Sequence, residues 1–167
     1  MTNTVSAPPG ANNAPVRKSV TVRASAAHAF HIFTDDIGSW WPRTHHIGKS
    51  PMTGATFESK VGGRCYSEQE DGSECDWGSV LAWEPPRRVV FAWQITPEWQ
   101  FEPDVKKSSE VEVIFTQLGD GTTRVDLEHR HFDRHGPNGG AMRAAIDSPS
   151  GWTGVLAPFI AAAERDS

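Results

Sequence analysis

The sequence is poor in the residues and patterns that mark several common classes of protein. It contains only two cysteines in 167 residues, no apolar run near the roughly 18 residues that cross a bilayer, and no cluster of basic side chains. A disulfide-stapled domain and a membrane-spanning helix are therefore excluded. Because the net charge is -5 and the Lys and Arg residues are interspersed with acids, we do not expect a nucleic acid partner.

Catalytic motifs that depend on local spacing are also missing. There is no Gly-x-Ser-x-Gly elbow and no Gly-x-x-x-x-Gly-Lys phosphate loop, and residues 136–140 lack the strand and helix context of a dinucleotide loop. A strand would place His129 and His131 about 7 Å apart on one face, where His45 or His46 could complete a metal site. Because no His or Cys spacing matches a known motif, we expect neither a metal nor a cofactor.

Length and composition indicate one domain. With 37% hydrophobic and 22% charged residues, a chain of 167 residues is expected to form a single core, here assigned to residues 16–164. Residues 1–15 hold prolines and small polar residues, with too little apolar surface to offset the entropy of ordering, so we predict a disordered tail. That tail has no features of a signal peptide, and a cytoplasmic location is expected.

The order of periodic segments predicts an α+β fold. Alternation predicts a first strand over residues 17–23, and apolar spacing behind Ser25 predicts a short helix over residues 26–34. A second helical turn should follow and end at Pro42, and residues 44–53 should form a loop. Six antiparallel strands are then predicted at residues 56–60, 63–70, 74–83, 87–95, 108–118 and 122–132.

The chain should end in a long helix with one strongly apolar face. Glycine-rich residues 133–143 are predicted to link the last strand to it, and Pro158 inside it should cause a kink. Such a helix must bury its apolar face, and the sheet is the only large surface available. The face consists of Trp152, Val155, Leu156, Phe159, Ile160 and Ala163.

A tight turn at residues 71–72 suggests how two strands pair. A two-residue hairpin there places Cys65 opposite Gly78 and Cys75 opposite Glu68, so the two sulfurs point to opposite faces and no disulfide is expected.

The same pairing suggests a polar end for a binding pocket. It puts Arg64, Tyr66 and Glu68 on one face with Trp77, and because this face is the more aromatic one we predict that it is concave. Arg64 and Glu68 would then fix the polar end of a ligand, although a single bulge would turn both into solvent.

His129 is predicted to point inward because its neighbours on the same face, Val125 and Leu127, are apolar. A buried histidine near a carboxylate such as Glu68 could act as general base or polar anchor. The alternative is a histidine whose hydrogen bonds are satisfied by the sheet or the last helix.

Seven tryptophans are more than a core of this size needs, and they predict a pocket that stacks a ring system, with ordinary core packing as the alternative. Trp99 and Phe101 lie in a predicted loop and could form a lid or a homodimer interface. The complete set of predicted ligand-binding residues is Trp40, Trp41, Arg64, Tyr66, Glu68, Trp77, Trp93, His129, Trp152 and Phe159.

Several short segments, together with this order of elements, resemble one known superfamily. They are DWGSV (residues 76–80), WEPPRR (83–88), FAW (91–93), LEHR (127–130) and GW (151–152). From residue 16 to about residue 164 the chain resembles the START-like, or SRPBCC, helix-grip proteins of the Bet v type. It is most similar to the branch named for the activator of the ninety-kilodalton heat-shock-protein ATPase.

The resemblance implies a curved seven-stranded antiparallel sheet wrapped around a long C-terminal helix, with two short helices after the first strand. It also implies a cavity for a hydrophobic small molecule, lipid-like or polyketide-like, and a binding protein is our first expectation. A cofactor-independent cyclase, hydrolase or lyase using His129 with Glu68 or Arg64 is the second. A chaperone-docking module is the third, because chaperone activators of that branch carry a separate N-terminal domain that these 167 residues do not show.

Overall fold

The computed structural model describes residues 13–165, which form one antiparallel sheet with helical segments on its concave side. The strand order is β1-β7-β6-β5-β4-β3-β2, so consecutive strands from β2 to β7 are neighbours and β1 lies beside β7. The predicted α+β class with seven strands is confirmed. The strands are β1 (Val16–Val22), β2 (Met52–Phe57), β3 (Arg64–Gln69), β4 (Glu74–Glu84), β5 (Arg88–Trp93), β6 (Ser109–Gly119) and β7 (Thr122–Arg130).

Strand β2 differs from the prediction of a strand over residues 56–60. It begins at Met52, inside the predicted loop, and ends at Phe57. Its two ends are buried and the residues between them are half-buried or exposed, so no alternation of apolar residues was visible. Pairing with β3 fixes this edge strand, including a register shift after Met52.

The two short helices after β1 are present as predicted. Helix α1 (Ala26–Phe33) begins behind Ser25, whose Oγ accepts a hydrogen bond from the His28 backbone N–H at 3.1 Å. A 3-10 turn follows at Ile37–Ser39. Helix α1 buries Phe30 and Phe33 against the sheet, where the Phe30 ring lies 5.0 Å from that of Trp83 and 5.3 Å from that of Phe115.

The C-terminal part is more divided than predicted. A 3-10 turn at Phe132–Asn138 leads into helix α2 (Gly139–Ile146), so the predicted link over residues 133–143 is largely helical. A π-helical turn at Pro149–Thr153 then leads into helix α3 (Gly154–Arg165), which continues through Pro158. The chain breaks instead at Gly151, where φ is -81° and ψ is -138°.

Gly151 permits this break because a Cβ at its position would overlap the carbonyl oxygen of Ile146. The close approach brings the π-helical turn back over the end of α2. Helix α3 is thereby free to lie along the concave face, where the Phe159 ring packs 5.2 Å from that of Phe33.

The predicted disordered tail falls largely on residues 1–12, which lie outside the described residues. Within the described end of the predicted tail, the Ala14 carbonyl accepts a hydrogen bond from the Arg143 side chain at 2.6 Å. Within residues 13–165, no helix is both long enough and apolar enough to cross a membrane.

Candidate functional site

A cavity of about 380 Å³ lies where the ends of β4 and β5 meet the loop before β2 and the π-helical turn. Four isoleucine and valine side chains line part of its wall, and the polar members come from residues 44–46 and 148–150. Five of the seven tryptophans line it, namely Trp41, Trp77, Trp93, Trp99 and Trp152.

A β-bulge directs Trp77 into the cavity. Cys65 pairs with Gly78 and Tyr66 pairs with Asp76, which leaves Trp77 without a partner in β3. Trp77 and Gly78 are consequently both buried, and the residue after the bulge has to be small because a Cβ on Gly78 would overlap the Ala92 carbonyl oxygen. The bulge therefore supplies the cavity with an indole that regular alternation would have turned outward.

The Trp77 ring is also held by neighbouring rings. It stacks on Trp41, with ring centroids 5.8 Å apart and an angle of 13° between the planes. The Trp93 ring lies 6.1 Å away at 58°, so the wall offers ring faces in more than one orientation.

The same bulge makes the predicted face of β3 wrong. Arg64, Tyr66 and Glu68 lie on the outer side of the sheet, while the alternate residues of β3 are buried. The Arg64 guanidinium bonds to Asp76 and Glu74 at 2.6 and 3.0 Å and lies 4.1 Å from the centre of the Tyr66 ring. None of these three predicted ligand-binding residues lines the cavity.

The cysteine pairing was predicted in part. The match of Cys65 with Gly78 is confirmed, but Cys75 lies opposite Ser67 rather than Glu68. Both cysteines are free thiols.

The loop over residues 44–47 is tied to the π-helical turn through His45. Its Nε2 donates to the Ser150 carbonyl at 2.8 Å, since a carbonyl only accepts, and its Nδ1 then accepts from the Thr44 hydroxyl at 3.0 Å. The Trp41 indole N–H donates to the His45 carbonyl at 2.7 Å. The bond between His45 and Ser150 joins the loop to the π-helical turn across the cavity wall, and the other two fix the His45 segment locally.

His129 points inward as predicted, but it lies behind the cavity wall and does not line it. The Trp152 indole N–H donates to its Nδ1 at 3.0 Å, so the proton of the neutral ring is on Nε2 and donates to Ser109 Oγ at 2.7 Å. The Ser109 hydroxyl in turn donates to His135 Nε2 at 2.8 Å. The chain of donors therefore runs from Trp152 through His129 and Ser109 to His135.

Burial keeps this network neutral. Desolvation lowers the pKa of His129 well below its usual value, and the neighbouring His135 lowers it further. Desolvation also lowers the pKa of His135, opposed by the charge of Glu102. The alternative interpretation of His129, a histidine satisfied by the sheet and the C-terminal segment, is the one that these bonds support.

The structure does not bring His129 together with Arg64 or Glu68. His129 is on β7 and the other two are on β3, with three strands between them in the sheet. His131 does not share the inward face either, because it follows the end of β7 with a φ of 67° and its side chain is 44% exposed. Residues 13–165 contain no group of three or more His, Cys, Asp or Glu side chains that could hold a metal ion.

Two further predicted residues belong to the core rather than to the cavity wall. Trp40 donates its indole N–H to the Ile32 carbonyl at 2.7 Å, and its ring lies 5.3 Å from that of Phe159. Both side chains are buried, and neither lines the cavity.

Most of the wall comes from irregular segments that the sequence pattern did not identify, including His46, Ile47 and Ser150. These segments have no period, so nothing in their pattern shows which way a side chain points. Trp99, predicted as a lid or an interface residue, lines the cavity while 49% exposed, with a φ of 62°. One feature of the sequence indicated this part of the wall, namely an aromatic side chain in a predicted loop.

Comparison with known proteins places the chain in a family. Residues 23–162 match the family model described as Activator of Hsp90 ATPase homolog 1-like protein. No curated protein matches the chain.

Solved structures share the fold over nearly the whole chain. An anthrahydroquino-gamma-pyrone synthase, Txn09, complexed with SUM, is 42% identical with a TM-score of 0.64, and the match covers 92% of this chain and 98% of that one. CalC, a self-sacrificing resistance protein from Micromonospora echinospora, is 30% identical with a TM-score of 0.67, covering 93% and 97%. Because the family model spans well over half of the sequence, this chain belongs to the activator of Hsp90 ATPase homolog 1-like family, within the START-like superfamily that its motifs resemble.

Proposed function

We propose that this protein binds an aromatic, largely apolar small molecule in the tryptophan-lined cavity. The observation that carries the proposal is the wall itself, in which five indoles surround about 380 Å³. Aromatic pairs are worth about 0.5–1.5 kcal/mol beyond the burial of their area, so several ring faces around one space favour a planar ligand. The volume also falls within the range of small-molecule sites, roughly 300–1,000 Å³.

The similar proteins support a small-molecule or cyclase-type role. The structure that is 42% identical is described as a synthase of an anthrahydroquino-gamma-pyrone, a fused-ring aromatic compound. Transfer of that ligand class to this chain is part of the proposal, and it agrees with a cavity whose wall contains no Lys, Arg, Asp or Glu.

Turnover of such a ligand is the second candidate, and it is favoured by that synthase. His45 and His46 are the only imidazoles among the cavity-lining side chains, and the wall contains no carboxylate or amine. Both ring nitrogens of His45 are engaged by Thr44 and Ser150. General acid or base catalysis would therefore fall to His46, and His129 would act only by fixing Trp152. Chaperone docking, homodimer formation and the cytoplasmic location stay predictions.

Filling the cavity tests the binding proposal. Ala145 lines the cavity from α2, whereas its neighbour Ala144 is exposed and does not. Ala145→Trp should place an indole in the ligand space, and Ala144→Trp is the matched control because it adds the same side chain to the same helix. Native mass spectrometry after incubation with a tricyclic aromatic probe, 9-fluorenone, should detect complexes of the wild type and Ala144→Trp and none of Ala145→Trp. Equal binding by all three proteins would overturn the proposal.

A further inference from the structure

Trp99 differs from the other indoles of the cavity wall in how it is held. The other four are buried, and they pack against one another in pairs, with ring centroids 5.8 Å apart for Trp41 and Trp77 and 5.9 Å apart for Trp93 and Trp152. Trp99 is 49% exposed, and within residues 13–165 its side chain makes no ring contact and no hydrogen bond. The fold therefore fixes four indoles and leaves the fifth with a free ring face at the mouth of the cavity.

The backbone presents this indole from a short turn on a fixed base. Ile95 and Phe101 form an isolated β-bridge, and between them the Trp99 N–H donates to the Thr96 carbonyl at 2.8 Å. Trp99 itself has a φ of 62°, in the left-handed region that bulky residues rarely adopt. Residues held in such conformations are concentrated at ligand clamps and switch regions, where the surrounding structure maintains them.

An aromatic ligand would supply the partner that the Trp99 ring does not have. Burial of the exposed ring face is favourable, and stacking on a planar ligand adds to that gain. The exposed indole can reach the ligand by turning about its own side-chain bonds, which exposed side chains do within nanoseconds. The four paired indoles cannot respond in this way, because each is packed against a neighbouring ring.

We propose that Trp99 is a lid that turns its free ring face onto the bound aromatic molecule and slows its release. This inference rests on the proposed function and assigns the regulation of ligand exit to one side chain of the same site. The buried indoles define the space for the ligand, and Trp99 determines how long the ligand stays there.

The test measures release of 9-fluorenone from wild-type protein and three variants. Trp99→Asn removes the ring and keeps a residue that tolerates the left-handed conformation. Trp99→Phe restores an aromatic face at the same position. Phe101→Leu is the matched control, because it removes an exposed ring from the same loop at a position that does not line the cavity. Circular dichroism verifies that each variant is folded.

Release is followed by stopped-flow dilution of the complex, with recovery of tryptophan fluorescence as the signal. The dissociation rate constant should rise by about tenfold in Trp99→Asn, as expected for the loss of one aromatic stacking contact. It should stay close to the wild-type value in Trp99→Phe and Phe101→Leu. The association rate constant of Trp99→Asn should not fall, because a smaller side chain leaves the mouth open.

Closure of the lid is measured separately in the wild type. The ¹⁵N heteronuclear NOE of the Trp99 indole N–H, which reports motion faster than nanoseconds, should be lower than that of Trp77 in the free protein. Saturating 9-fluorenone should raise it to the level of Trp77. A value that does not change on binding would overturn the lid.

The kinetic outcomes separate this inference from the proposed function. If 9-fluorenone binds and leaves wild type and Trp99→Asn at the same rate, the lid is wrong and the aromatic site stands. Equally fast release from Phe101→Leu and Trp99→Asn would also overturn the assignment to Trp99. If the wild type does not bind 9-fluorenone, the proposed function and the lid both fail.

Discussion

Replacing His129 by leucine is the sharpest test of the network behind the cavity. The substitution places an apolar side chain of similar size at a fully buried position and removes two hydrogen bonds, one from Trp152 and one to Ser109. The Trp152 N–H then has no partner, which costs about 1–3 kcal/mol. Ser109 keeps its hydrogen bond to His135, so losing the bond between His129 and Ser109 costs only about 0.5–1.5 kcal/mol.

The free energy of unfolding should therefore fall by about 1.5–4.5 kcal/mol, measured by urea unfolding followed by circular dichroism near neutral pH. A double-mutant cycle with Trp152→Phe gives the control. Because phenylalanine has no N–H to leave unpaired, the double variant should lose about 1 kcal/mol less than the sum of the two single variants. A loss below about 0.5 kcal/mol for His129→Leu, or strict additivity in the cycle, would refute the network.

Three further predictions concern pH, packing and thiol chemistry. Burial lowers the pKa of His129 and His135, so below about pH 6.5 the unfolded chain binds protons that the folded protein does not. Stability should thus fall as the pH decreases from about 7 to 5, by up to about 1.4 kcal/mol per pH unit for the fully buried His129 and by less for the half-buried His135, and a flat urea midpoint would contradict this. Gly78→Ala should cost about 2–4 kcal/mol because its Cβ would overlap backbone of β5, whereas Gly119→Ala, with open space around it, should be close to neutral in the same assay. Burial raises the pKa of the Cys65 thiol well above its usual value. Mass spectrometry should therefore find Cys65 unmodified by iodoacetamide in the native protein and modified in urea. Rapid labelling of the native protein would show that this part of the core opens.

The elements of this fold that carry strong local patterns were predictable. Ser25 behind an alternating strand and before an apolar helical pattern identified α1, and the turn residues separated the last four strands correctly. Strand β2 was misplaced because its register comes from pairing with β3 and not from its own alternation. The break at Gly151 depends on a backbone contact with Ile146 that no local pattern shows.

The candidate site was predictable only where a side chain's direction was predictable. His129 faced inward because β7 alternates regularly, but its actual partners, Trp152 and Ser109, come from distant segments. A bulge at Trp77 changes which residues of β3 and β4 share a face of the sheet. The predicted anchors Arg64 and Glu68 therefore lie on the outer face and not on the face of Trp77. The tryptophan content predicted an aromatic pocket, and five of the seven indoles line one cavity.

The most direct test of the central claim is to locate an aromatic probe inside the protein. Intermolecular nuclear Overhauser effects between 9-fluorenone and assigned indole protons report contacts atom by atom. We expect effects to Trp77, Trp93 and Trp152, which line the cavity, and none to Trp83, whose ring packs against Phe30 in the core. Effects to Trp83 without effects to the cavity indoles, or no intermolecular effects at saturating probe, would contradict the account.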